Sequence, residues 1–109
     1  QFRALVDQGM DLLALPAAFT AATGKAHWES LLRARAIENQ CYVVASAQGG
    51  THANGRETHG DSSIIDPWGE ILGRLPQGPG VVLAEFDPER LATVRRQFPV
   101  LTHRVSLAV

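Results

Sequence analysis

The side chains able to do chemistry are few: one cysteine, Cys41, and four histidines, His27, His52, His59 and His103. A thiol becomes a nucleophile at neutral pH only where its surroundings favour the thiolate. Cys41 opens the apolar run Cys41-Tyr-Val-Val-Ala45, where it reads as inert core filler. No two histidines form an i, i+4 helical pair or a Cys/His zinc spacing, so no metal is expected. The one metal alternative is His52, His59 and Asp61 converging across a loop. Gly60-Asp61-Ser62-Ser63 lacks the glycine that a nucleophile elbow needs after its serine, and Gly78 and Gly80 belong to a turn rather than a phosphate loop. Phe19 and Thr20 are the more informative pair. They follow an apolar run ending at Pro16, just past the carboxyl end of an expected strand, where α/β sheets present ligand-contacting loops. There Phe19 either walls a substrate pocket or packs under the next helix.

The elements that would position these residues read in order. Phe2, Leu5 and Val6 share one helix face and Gly9 stops it; with only two turns present, the start of this helix is expected to be missing. Residues 11–15 read as a central strand and 16–23 as a small-residue loop. Thr23 is the expected N-cap of a helix over 25–40. Rotation at 100° per residue gathers Trp28, Leu31, Leu32 and Ala34 on one side, with Glu29, Arg33 and Gln40 opposite. Arg35 and Glu38 fall on the apolar side, which predicts an ion pair sheltered by packing or by a subunit interface.

Residues 41–47 are apolar in succession, as in a strand covered on both faces, and 48–59 read as a surface loop. Strands over 62–65 and 70–75 flank Asp66-Pro-Trp-Gly69, a type I turn signature, and 81–86 reads as a third strand of the meander. Asp87-Pro88-Glu89 starts a helix carrying Leu91, Val94 and Phe98, which Pro99 ends; residues 100–109 show no pattern. The expected order is α β α β β β β α within a single α/β domain spanning residues 1–109.

The 109 residues carry a net charge of −1, with 19% charged and 45% hydrophobic residues. No basic stripe supports binding to nucleic acid or to a membrane surface. The apolar runs are too short to span a bilayer, and a lone cysteine suits a reducing cytoplasm. The low charge content hints that the rest of a larger protein or a subunit partner covers some surface.

Pro16-Ala-Ala-Phe-Thr20, Thr23-Gly24, His27-Trp-Glu29, Leu32-Arg-Ala-Arg-Ala-Ile-Glu-Asn39 and Asp66-Pro-Trp-Gly69 resemble, in order and spacing, the carbon–nitrogen hydrolase (nitrilase) superfamily. Gln40-Cys-Tyr-Val-Val44, Gly78-Pro-Gly80 and Phe98-Pro-Val-Leu-Thr-His-Arg104 are most similar to the branch acting on deaminated glutathione, with the ω-amidase branch a weaker match. The resemblance implies the C-terminal part of an α-β-β-α sandwich from an enzyme that hydrolyses amides or nitriles without a cofactor. In that family a Glu base, an oxyanion Lys and a Cys nucleophile form and break an acyl thioester. All three would lie upstream of Gln1, so no catalytic residue is expected here, and Cys41 matches a strand cysteine instead.

By position, Ala17, Phe19 and Thr20 would line the substrate pocket. Trp28, Arg35, Glu38, His103 and Arg104 would lie at or near a homodimer or higher homo-oligomer interface. Relatives often carry Gly-His-Ser where this chain has Gly60-Asp61-Ser62, which leaves that histidine's role unfilled. Half a sandwich should also expose a broad apolar face and self-associate. Two rival readings are a non-catalytic interaction domain and a self-contained thiol hydrolase using Cys41 with a histidine.

Overall fold

The structure is a computed structural model and describes residues 1–107. The chain runs α1 (Phe2–Asp7), β1 (Leu12–Ala17), α2 (Ala21–Asn39), β2 (Tyr42–Ala47), β3 (Gly49–Thr51), β4 (Glu57–His59), β5 (Ser62–Ile65), β6 (Ile71–Leu75) and α3 (Pro88–Gln97), followed by a 3₁₀ turn at Val100–His103. β1-β2-β5-β6 form one sheet, with β1 and β2 parallel and the later pairs antiparallel. The parallel pair requires a crossover, and α2 supplies it.

Side chains alternate across the sheet. Leu13, Val43, Ala45 and Ile65 point to the face covered by α2 and meet Trp28, Leu32 and Ala36; Phe2 and Leu5 of α1 complete this core. The buried stripe of α2 is Gly24, Trp28, Leu32 and Ala36, spaced i, i+4, and ends with Asn39 one turn on; it is narrower than expected. Leu31 and Ala34, assigned to it from sequence, are exposed. Gln40, expected to point outward, is instead buried in a left-handed conformation (φ 45°) just past the helix, where its side-chain amide donates to the Phe98 carbonyl at 2.5 Å.

The other face of the sheet is only partly covered, which corrects the expectation that β2 is buried on both sides. Val82 packs over Gly73 and the Phe86 ring lies 4.8 Å from that of Tyr42, but Leu12 and Val44 remain 43% and 37% exposed. The segment 81–86 forms no strand; its contacts lie on this open face. Conversely, the expected loop 48–59 contains the hairpin β3–β4. These two differences change the expected order to α β α β β β β β α.

The Asp66–Gly69 turn forms as read. Gly69 N–H donates to the Asp66 carbonyl at 2.9 Å, and the Asp66 carboxylate accepts from the Trp68 and Glu70 amides. Asp87 caps α3 through the Glu89 and Arg90 amides, and Leu91 and Val94 are buried, whereas Phe98 stays half-exposed against the edge of Trp68. Arg95 fastens α3 to the start of the sheet by donating to the Gln40 and Met10 carbonyls and to the Asp11 carboxylate. The patternless tail makes the 3₁₀ turn; its last two residues lie outside the described residues. Among the described residues no helix is long and apolar enough to cross a membrane.

Candidate functional site

β1 delivers residues 17–20 to the carboxyl edge of the sheet, and three backbone contacts fix them there. The Ala17 carbonyl accepts from Gln48 N–H and the Phe19 carbonyl from His59 N–H, both at 2.9 Å, while Thr20 bridges Thr58 of β4. Ala17 and Phe19 are half-buried against the core, and the Phe19 ring meets Trp28 at 4.9 Å. The segment is therefore tied down, with Phe19 backed by an aromatic that is itself immobilised.

That immobilisation runs through Asp61. Trp28 is 1% exposed and its indole N–H donates to the Asp61 carbonyl at 2.8 Å; Ser63 donates to the same oxygen. Asp61 adopts φ 66°, a left-handed conformation that aspartate tolerates better than most side chains. Its carboxylate, almost buried, is held bidentately by Arg74 at 2.6 and 2.7 Å. These hydrogen bonds raise the Arg74 pKa above its ordinary value, reinforced by the Asp61 and Glu29 charges and opposed by slight burial. The Asp61 carboxylate thus serves as an anchor for a strand arginine. Sequence reading missed this pair because Arg74 lies 13 residues away, on another strand.

α2 begins at Ala21, earlier than expected, with Thr20 as the N-cap residue. Thr23 sits inside the first turn, its hydroxyl donating to the Thr20 carbonyl. Alanines at 21 and 22 favour the helix. Gly24, inside the helix, has a steric purpose: a Cβ there would lie 2.1 Å from that of His59. The glycine lets β4 approach the helix axis and seats His59 beside it. Next to His59 lies an open cleft of about 560 Å³, whose lining includes Ala21, Lys25, Thr51, Glu57 and Thr58.

The other candidate residues separate into distinct places. Trp28 is enclosed by this chain's own core, which corrects its assignment to an interface surface. Arg35 and Glu38 do pair, at 2.6 Å, and both stay about one-third exposed, so packing within this chain does not shelter them. Arg35 also lies 4.7 Å over the Phe2 ring, linking α2 to α1. His103 and Arg104 are exposed, with Arg104 paired to Asp7 at 2.6 Å.

Cys41 is fully buried. Burial pushes its thiol up to about 11, with Arg95 opposing and Asp11 adding slightly, so it is neither accessible nor ionised at neutral pH. His52 bonds to the Thr58 hydroxyl at 2.7 Å while His59 lies 3.8 Å from Asp61. Among the described residues no three His, Cys, Asp or Glu side chains are grouped to hold a metal.

The loop at the carboxyl edge of the sheet is held firmly in place, whereas the one thiol lies buried and unactivated at the opposite end of the strands. A family model described as carbon-nitrogen hydrolase matches residues 1–96. The chain belongs to that family. The deaminated glutathione amidase of Synechocystis is 58% identical over 104 residues, covering 95% of this chain and 38% of that protein. The crystal structure of the C. elegans NitFhit protein superposes with a TM-score of 0.91 at 47% identity, over 94% of this chain and 25% of that one. Nit3 of Saccharomyces cerevisiae, a member of branch 10 of the nitrilase superfamily, gives 0.85 at 30% identity over 91% of this chain and 36% of its own. This carbon–nitrogen hydrolase chain therefore has the α/β fold of the nitrilase superfamily, and spans about a third of the length of the curated amidases it matches.

Proposed function

We propose that residues 1–109 are the C-terminal portion of a single carbon–nitrogen hydrolase domain that cleaves a linear amide of the deaminated-glutathione type. The observation carrying this reading is the 58% identity with the Synechocystis deaminated glutathione amidase across 95% of the chain. In this reading a cysteine thiolate supplied from outside residues 1–109 attacks the amide carbonyl. A glutamate returns the proton to the departing amine, a lysine holds the oxyanion, and water then hydrolyses the acyl thioester. The scheme uses side chains alone, with no metal or cofactor.

The chain's own part is positional. Ala17, Phe19 and Thr20 wall the pocket, and Asp61 and Arg74 fix the Trp28 ring behind Phe19. The incompletely covered sheet face supports docking of a second sheet to complete the α-β-β-α sandwich. The exposed side of α2 bearing Arg35 and Glu38, with His103 and Arg104 of the tail, would lie at or near the interface of a cytoplasmic homodimer or higher homo-oligomer. The low charge content, 19%, supports such a covered surface.

A chimera tests the function. Residues 1–109 replace the matching segment of the Synechocystis amidase, and turnover of deaminated glutathione is followed. Turnover near the parental rate is expected; a folded chimera without turnover would overturn the reading.

A further inference from the structure

The cleft beside the pocket wall has its own chemistry. It adjoins residues 19 and 20 directly, because its lining residues Thr58 and His59 are those that pair with Thr20 and Phe19. At about 560 Å³ it is large enough for a dipeptide-sized group. Lys25 brings a cation to it just past the first turn of α2, a turn containing no acidic residue. A cation near a helix N-terminus opposes the helix dipole, so positive potential from the two accumulates on one side of the cleft. Six arginines of this chain sit in ion pairs, whereas Lys25 forms none among the described residues. Glu57, exposed on the hairpin, supplies an acceptor, and the Thr51 and Thr58 side chains add polar lining. The wall is fixed, because Gly24 lets His59 pack against the helix.

We propose that this cleft receives the carboxylate-bearing end of the amide substrate, with Lys25 meeting the carboxylate and Glu57 accepting from the neighbouring peptide N–H. The inference rests on the amidase reading and deepens it. Deaminated glutathione ends in a glycine carboxylate preceded by a peptide N–H, the pair of groups this cation and acceptor match. Lys25 is then a specificity-determining residue that acts on binding and takes no part in the bond-breaking step.

The test uses the chimera with two substrates, deaminated glutathione and its C-terminal carboxamide, which lacks only the charge. Lys25→Met is expected to raise KM for the carboxylate substrate about tenfold, the low end for a charge-assisted contact in an open cleft, with kcat unchanged. The carboxamide should be unaffected, and Lys25→Arg should restore most of the loss. Equal losses on both substrates, or none on either, would overturn the assignment while leaving the amidase reading intact. A chimera without turnover counts against the amidase reading instead. The cleft is then decided by saturation-transfer NMR with N-acetylglycine and N-acetylglycinamide. Binding of the carboxylate alone, lost in Lys25→Met, supports the site; no preference between the probes rejects it.

Discussion

Replacing Gly24 by alanine sets two effects of opposite sign against each other. Removing a helix-interior glycine favours α2 by about 1 kcal/mol. Against this, the new Cβ would lie 2.1 Å from His59 Cβ, 2.3 Å from Cγ and 2.8 Å from Cδ2. A rotamer change cannot relieve the first of these overlaps, because the Cβ of His59 moves only with the β4 backbone. Pushing β4 away costs about 1–3 kcal/mol as overpacking. It also strains the His59–Phe19 hydrogen bond and the Thr20–Thr58 bridge, about 1 kcal/mol each. The losses win, leaving a net destabilisation of about 2–4 kcal/mol. In the chimera, which exceeds 150 residues, that corresponds to a fall in Tm of roughly 4–16 °C by circular dichroism. His59→Gly removes the opposing Cβ, so in that background Gly24→Ala should become neutral or stabilising. A wild-type-like melt for Gly24→Ala alone, or an unchanged penalty in the double variant, would refute the packing argument.

Two further outcomes follow from burial. The Cys41 thiol titrates at about 11 in the folded chain against 9.0 as its ordinary value. The neutral, protonated form is the one folding favours, so its contribution is fully present below pH 9 and is lost as pH rises to about 11. At 1.36 kcal/mol per unit the loss is about 3 kcal/mol, visible as a falling urea midpoint that Cys41→Ala should not show. The second concerns the open sheet face. Residues 1–109 alone should self-associate in sedimentation velocity, and Leu12→Lys with Val44→Lys should reduce this; a sharply melting monomer without those changes would contradict it.

Most of the architecture was legible because the signals were local. The Asp66–Gly69 turn and the Asp87-Pro88 helix start carry their own turn and capping chemistry, and both form as read. The errors come from contacts distant in sequence. Gly24 looks like a helix boundary until β4 is placed against it, and α2 consequently begins earlier than Thr23 suggests. Leu31 and Ala34 satisfy a helical apolar arc, yet the sheet accepts only the narrower i, i+4 ladder. Residues 81–86 form a strand-like apolar run but cross the open face without pairing, and the glycines around 49–60 concealed a short hairpin. Within the candidate site, the place of residues 17–20 at the carboxyl end of β1 was visible from the apolar run before them. Their support by Trp28, Asp61 and Arg74 joins three elements and leaves no spacing to read.

Location of the acyl group is the most direct measurement of the central claim. Rapid quenching of the working chimera with deaminated glutathione, followed by peptide mass spectrometry, should find the thioester on a cysteine outside residues 1–109 and Cys41 unmodified. An acyl adduct on Cys41, or turnover by residues 1–109 alone, would contradict the account.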